Sequence, residues 1–323
     1  MSEQINENQD AEIDLLLTKT PFHLPKDCDM FVENRNPSCS HAEIETLIQK
    51  RTLNPTDLEI MKILAAFPFL NHHNLHYALE SRIPEENRKT AYTDNLKKLK
   101  AAGIILCFRM RKTTLPPTDT DGTDALSPSV SPLRLYALSQ SAYTYMEKIV
   151  AVARPYSTAS GILMVRMAAA NQFVLHFTAS YKDRIRECTL QKMARNGKDH
   201  AMIDAILHCL PPGGKTLNSN PVSIILLSVR TEDDWLEKEM SRLKTLSYWM
   251  SNQTGIDASP VIIFCVEHVS MAVALHTCIH NNSLFMWERY YCPDSLLTVY
   301  PPLKALYWCE TNEQGNVKAT RLG

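Results

Sequence analysis

With 323 residues, 45% of them hydrophobic and 21% charged, the chain is long enough for two ordinary domains and has the composition of a folded protein, which excludes a disordered one. Its formal charge of -1 excludes a globally basic nucleic-acid coat, so any affinity for phosphate has to come from a local patch. The 9 cysteines form no C-x-x-C pair, and several, such as Cys107 and Cys265, lie inside apolar runs, the usage of a reduced compartment.

The opening residues, MSEQINENQDAEID, are acidic and polar and read as no signal peptide. Together with the cysteine usage they predict a cytoplasmic protein. Residues 1–50 read as an acidic tail or strap followed by a short helix over His41–Lys50. A second segment, 51–154, opens with a helix start: Asn54 as cap, Pro55 in the first turn and Asp57 as an early acid. Leu58, Met61, Leu64 and Ala65 form the apolar stripe of that helix, and Pro68 ends it. Asn71 caps a second helix carrying Leu75 and Leu79. Pro84, with Glu85 and Glu86 in its opening turn, begins a third whose stripe is Tyr92, Leu96 and Leu99 and whose stop is Gly103.

From Leu106 the period falls to two. Leu106, Phe108 and Met110 point one way, while Cys107, Arg109 and Arg111 point the other, towards solvent. Arg134–Leu138 reads as the returning strand. Three helices followed by a β-hairpin are the layout of a winged helix. Residues 113–132 between those strands are rich in Pro, Thr, Ser and Asp and predict a disordered wing tip. A helix over Ser141–Ala153 follows, and Pro155 closes this half.

The remainder, 155–323, begins with a helix over Gly161–Ala179, whose Arg166, Asn171, Gln172 and His176 argue for burial in protein and against a bilayer span. Helices are predicted over Lys182–Arg195 and Asp199–Leu210. The turn-rich run PPGGKTLNSNP then leads to a strand (Val222–Val229), a helix (Asp233–Asn252), a strand (Val261–Val266), a helix (Ser270–His280) and a strand (Leu284–Trp287). Strands alternating with helices imply a parallel or mixed sheet. The predicted fold class is α/β overall: an α+β winged helix-turn-helix followed by an α/β domain.

The case for double-stranded DNA rests on charge placement. Between Arg82 and Lys112 nine basic residues face three acids, Glu85, Glu86 and Asp94, in a chain of total charge -1. On the third helix, Asn87 and Thr90 are short hydrogen-bonding groups placed to meet base edges, with Arg88 between them. Lys97 and Lys98 come later, where such a helix passes the backbone, and Arg109, Arg111 and Lys112 on the first wing strand suit phosphate. The competing reading is a solvated lysine-rich helix face, or a winged helix that recruits a protein and has no affinity for DNA.

The runs TLNPTDLEIMKILAAFPF (Thr52–Phe69), NLKKLKAAGII (Asn95–Ile105) and LYALS resemble the replication-relaxation family of plasmids and conjugative elements of Gram-positive bacteria. That resemblance implies control of replication or transfer of a plasmid or other mobile element, with a second copy or a replication or transfer protein as partner. It also implies that the last part resembles a degenerate restriction-endonuclease-like fold. Magnesium-dependent cleavage there would need an acid on one strand and an acid-x-lysine on the next. The strand VSIILLSVR carries no acid, and Glu232, Asp233 and Asp234 read as the start of the following helix, so no catalytic residue is assigned and a nuclease stands as the alternative.

No cofactor or metal site is assigned either. Gly213, Gly214, Lys215 and Thr216 follow a predicted helix, whereas a phosphate-binding loop follows a strand and opens a helix. The pairs His72 with His76 and His276 with His280 each supply half of a zinc site.

Overall fold

The computed structural model describes residues 20–33, 39–80, 82, 89–113, 133–150, 159–210, 222–252, 260–282 and 287–322. Helices and strands both contribute, so the chain is a mixed α/β protein. It divides into two units: Leu24–Gln172, and the residues before Leu24 together with those from Phe173 onward. The predicted boundary at residue 155 lies outside the described residues, and the division between the units falls inside the helix Gly161–Ser180. Two contacts explain this. Asn171 Nδ2 donates to the Pro68 carbonyl at 2.6 Å and Asn74 Nδ2 donates to Gln172 Oε1 at 3.3 Å, tying the start of that helix to the first unit.

The unit Leu24–Gln172 contains β1 (Cys28–Val32), α1 (His41–Gln49), α2 (Pro55–Ala66), α3 (His72–Glu80), α4 (Lys89–Ala101), β2 (Ile105–Lys112), β3 (Arg134–Leu138), α5 (Gln140–Met146) and the start of α6 (Gly161–Ser180). The predicted start of α2 is present as a reciprocal capping box. Asp57 N donates to Asn54 Oδ1 at 2.9 Å and Asn54 N donates to Asp57 Oδ2 at 2.7 Å. Asn71 Oδ1 likewise accepts from Asn74 N at 2.8 Å to open α3. Gly103, at φ 68°, lets the chain leave α4 with Ile104 N donating back to the Leu99 carbonyl. The sheet order is β1-β2-β3, antiparallel throughout.

β1 corrects the reading of everything before Ser40 as a tail. Cys28–Val32 pairs with β2 from Cys28 opposite Lys112 to Val32 opposite Phe108, and that partner lies far along the chain. α5 is shorter than predicted; residues 151–158 lie outside the described residues, as do 1–19 of the tail and 114–132 of the wing tip.

In the other unit the elements are the end of α6, then β4 (Ile185–Asn196), β5 (Asp199–Cys209), β6 (Val222–Ser228), α7 (Trp235–Ser251), β7 (Val261–Val266), α8 (Val269–Asn281), β8 (Arg289–Pro293), β9 (Tyr307–Thr311) and β10 (Val317–Arg321). They build one sheet in the order β10-β9-β8-β7-β6-β5-β4, with β6, β7 and β8 mutually parallel and the outer pairs antiparallel. The helices predicted over Lys182–Arg195 and Asp199–Leu210 are this β4–β5 hairpin. Its two-residue turn, Gly197–Lys198 between the paired Asn196 and Asp199, uses Gly197 at φ 60°, the left-handed conformation that a tight hairpin needs. The predicted strand Leu284–Trp287 falls mostly on 283–286, which lie outside the described residues; the strand that pairs with β7 is β8.

α7 and α8 bury Leu243, Leu246, Leu275 and Ile279 in one cluster with Ile225, Ile262 and Phe264 of the sheet. Each such side chain contributes roughly 1.5–3 kcal/mol of apolar burial. α6 is the one described helix long and apolar enough to cross a membrane, and 72% of its apolar window is buried.

Candidate nucleic-acid interface

Of the predicted DNA contacts, Asn87 and Arg88 lie outside the described residues, as does the side chain of Thr90. Lys97 is exposed on α4 and makes a loose pair with Asp94 at 3.7 Å, a contact worth little in water. The others have structural partners. Lys98 is bonded to Asp57 Oδ2 and to the Thr52 carbonyl, so it locks α4 onto the capping box of α2. Asn54 Nδ2 adds a bond to Asn95 Oδ1 at 3.4 Å across the same junction. Lys112 reaches Asp27 at 3.7 Å, and the guanidinium of Arg111 lies over the Phe31 ring, 5.5 Å from its centroid.

Arg109 is a correction. It was expected on the solvent face of β2, but it is only 6% exposed and pairs with Glu33 at 3.8 Å. Two-residue alternation marks faces correctly, yet it does not say whether the polar face meets water. β2 is the central strand, and its burial runs along both faces.

Glu33, just past β1, is the residue around which the cations collect. Lys100 from α4 donates to it at 2.8 Å, Arg134 from β3 at 3.4 Å, and Arg109 from β2 lies at 3.8 Å. Burial opposes the charge of Glu33. Hydrogen bonds from Lys100 and Cys107, with the charges of Lys100 and Arg134, outweigh burial and hold the carboxyl below the usual range. The neighbouring Cys107 thiol is pushed up to about 12 by burial first and by Glu33 second. Three cations thus meet at Glu33, and Lys97 shares α4 with Lys100 while Arg111 and Lys112 share β2 with Arg109. Glu33 and Arg134 were not singled out in the sequence, because only the pairing of β1, β2 and β3 brings them to Arg109.

The second unit holds two buried polar clusters, and the first bears on cleavage. Asp204, on β5, accepts from Ser228 N at 2.7 Å and from Arg242 Nη2 of α7 at 2.7 Å. Arg242 also donates to Glu239 at 3.2 Å, to the Met202 carbonyl and to the Ser228 carbonyl. Burial opposes the charge of Arg242, but Glu239 and Asp204 hold its pKa above the usual guanidinium value. The acid on one strand thus exists, hidden from the sequence reading by the wrong helix over Asp199–Leu210. The next strand ends in Ser228-Val229-Arg230 where acid-x-lysine was required.

The second cluster lies past the carboxyl ends of the parallel strands. Ser228, Cys265 and Cys292 share a row across β6, β7 and β8, and Arg230, Glu267 and Asp294 follow two residues later. Arg230 Nη2 donates to Asp294 Oδ1 at 3.0 Å with both side chains buried. A short strap of Thr20–His23 covers the acids. Thr20 Oγ1 donates to Asp294 Oδ2 at 3.0 Å, and His23 Nδ1 lies 2.8 Å from Glu267 Oε2.

The hydrogen bond to Glu267 raises the pKa of His23 above the ordinary histidine value, against its partial burial. Glu267 is lowered: burial works against its charge, but His23, Arg230 and the Thr231 amide prevail. The His23 contribution is present below the ordinary histidine pKa and lost as pH rises through the raised value. The Glu267 contribution is present above the ordinary glutamate value and lost as pH falls through the lowered one. The strap contact is therefore strongest between these limits. In an NMR titration His23 is expected to titrate above a free histidine, and Glu267→Gln should bring it back down. A His23 that titrates at or below the free value would remove the contact.

The histidine pairs serve packing. His72 and His76 flank the Tyr92 ring at 4.8 and 5.2 Å, and His276 shares a hydrogen bond of 3.3 Å with the Tyr291 hydroxyl. Among the described residues no group of three or more His, Cys, Asp or Glu is placed to hold a metal ion. No family model matches the chain, and no curated protein or solved structure gives a significant match to it.

Proposed function

We propose that the protein binds double-stranded DNA through the unit Leu24–Gln172, acting as a winged helix with α4 as the recognition helix and β2–β3 as the wing. One observation carries this reading. Lys100, Arg109 and Arg134 converge on the carboxylate of Glu33, and exposed Lys97 and half-exposed Arg111 and Lys112 lie on the same helix and strand, α4 and β2. A surface with more cations than carboxylates, built from a helix and a strand pair, suits the phosphate backbone.

Control of replication or transfer of a plasmid or other mobile element rests on the resemblance of Thr52–Phe69 and Asn95–Ile105 to the replication-relaxation family, and a cytoplasmic location rests on the cysteine usage and the polar opening residues. The second unit is read as a scaffold for assembly with a second copy or a replication or transfer protein. The commitment of Asp204 and Glu239 to Arg242 supports this over cleavage.

The test avoids Lys98 and Arg109, whose loss would disturb packing as well as charge. Wild type and a Lys97→Ala/Arg111→Ala/Lys112→Ala variant are titrated into labelled duplex selected from a random library, at several salt concentrations. The variant is expected to bind on the order of 10-fold more weakly, with a salt slope smaller by roughly 3, about 0.9 for each phosphate that is no longer neutralised. Wild type that shows no salt-dependent binding, or a variant with the wild-type slope, would overturn the reading.

A further inference from the structure

The cations of the first unit are largely engaged by acids, whereas the β4–β5 hairpin carries cations that are not. Among the described residues, Lys192, Arg195 and Lys198 make no ion pair, and all three are exposed. Over Lys192–His200 they face one carboxylate, that of Asp199.

The shape of this hairpin is as informative as its charge. β4 and β5 pair out to Asn196 and Asp199, but β5 pairs with β6 only over Ala205–Cys209 among the described residues. The distal part, from about Gln191 to Asp204, is thus a two-stranded ribbon beyond the rest of the sheet. Ala194, Ala201 and Ile203 are buried with the α7 side chains Leu243 and Leu246. Arg195 and His200, directly opposite each other in the register, are exposed. Two cavities adjoin the tip. One, of about 370 Å³, is lined by Met193, Arg195, Gly197, Lys198, Asp199 and His200. The other, of about 260 Å³, shares Lys198, Asp199 and His200 and adds Lys238, Ser241, Arg242 and Thr245.

The outer edge of β4 is a poor template for another strand. Gln191 sits at φ 55°, in the left-handed region within the strand, and Arg186, Lys192 and Arg195 punctuate the exposed edge. A partner is therefore met through side chains, and the side chains on offer are cationic. A two-stranded ribbon is also one of the two elements that a DNA major groove, about 12 Å wide, admits.

We propose that the distal β4–β5 hairpin is a second contact for duplex DNA, with Arg195 and Lys198 binding backbone phosphates at the tip and His200 beside them. This rests on the reading that the protein binds duplex DNA, and places part of that binding on the α/β unit. A surface used for acidic proteins would show no gain from a duplex, and the experiment separates the two.

The full chain is titrated with the selected duplex over a range of salt, as wild type, as Arg195→Ala/Lys198→Ala, and as Lys304→Ala/Lys318→Ala, a pair of exposed lysines elsewhere on the same unit. Thermal melting of each confirms that it is folded. The hairpin variant is expected to lose about 2 from the salt slope and roughly 10-fold in affinity, with the control close to wild type. If wild type binds while the hairpin variant matches it, or while the control loses as much, the hairpin contact is overturned and DNA binding stands. If wild type does not bind the duplex at all, both fall together.

Discussion

Replacing Arg242 by Met is expected to destabilise the protein by about 3–5 kcal/mol and to lower its melting temperature on the order of 10 °C. Asp204, Glu239 and Arg242 are 3%, 4% and 9% exposed, so none of the three can exchange its partner for bulk water. A buried pair need not be stabilising in net terms, because desolvation offsets most of the attraction. Removing one member is different: Asp204 and Glu239 then lose the guanidinium that compensates them in a low-dielectric interior. Arg242 also donates to the carbonyls of Met202 on β5 and Ser228 on β6, so its loss removes bonds that bridge the two strands where they part.

Charge imbalance can be separated from simple loss of packing. Adding Asp204→Asn and Glu239→Gln to Arg242→Met removes the uncompensated charges and should recover a large part of the lost stability. Chemical denaturation of the single and triple variants measures both. A triple variant no more stable than Arg242→Met would show that shape and backbone bonds, and not charge balance, hold this junction. The same variants bear on cleavage. If Asp204 and Glu239 serve only Arg242, the folded triple variant binds duplex as wild type does and no nicking in magnesium distinguishes the two.

How much of this was legible in the sequence depended on how local the cause was. The capping box of Asn54 and Asp57 is written within four residues, and it reads correctly. So does β7, whose run of Val, Ile, Phe and Cys has no helical alternative of suitable length. Thr189–Arg195 is another matter. Leu190, Gln191, Lys192, Met193, Ala194 and Arg195 are all good helix formers, and they form a strand because β5 pairs with them. The signal that would have corrected the reading was present in Gly197-Lys198, a glycine at the first position of a two-residue hairpin turn. β1 had no such signal; five residues far from β2 in sequence cannot announce that they will pair with it.

The candidate site divides in the same way. The cation surplus between Arg82 and Lys112 was visible as composition, and Lys97 stays at the surface as predicted from its helical position. What charge counting misses is which cations are already occupied. Lys98 is drawn to Asp57 and Arg109 to Glu33 by contacts that span separate elements. Lys98 was assigned to phosphate because its place on α4 is the right one, but the acid that claims it belongs to the start of α2. Conversely, the helices expected over Lys182–Arg195 and Asp199–Leu210 leave Lys198 in a short connection between them and hide that Arg195 and Lys198 meet at a hairpin tip.

Arg230→Met should give a loss of comparable size whose magnitude depends on pH in a stated direction. Arg230 and Asp294 are 0% and 1% exposed at their side chains, and Arg230 Nη1 also donates to the carbonyls of Val229 and Cys265. Even with that partner, burial raises Asp294 to about 6, with Arg230 and the Thr20 hydroxyl pulling the other way. A carboxyl raised above its unfolded value binds its proton more tightly in the folded state. Its ionisation therefore costs stability as pH climbs from about 4 through the folded value. Without Arg230 the folded value climbs further, because the main opposing charge is gone. The deficit of the variant relative to wild type should be smaller near pH 5, where Asp294 can stay protonated, and should widen to about 3–5 kcal/mol by pH 8. Asp294→Asn in the Arg230→Met background removes the titrating group and should flatten the pH dependence while restoring part of the stability. Denaturation curves of the two variants and wild type at both pH values decide it. A deficit that is constant with pH would mean that Arg230 acts through its backbone hydrogen bonds alone, and that the row beyond β6, β7 and β8 is held together without regard to the charge of Asp294.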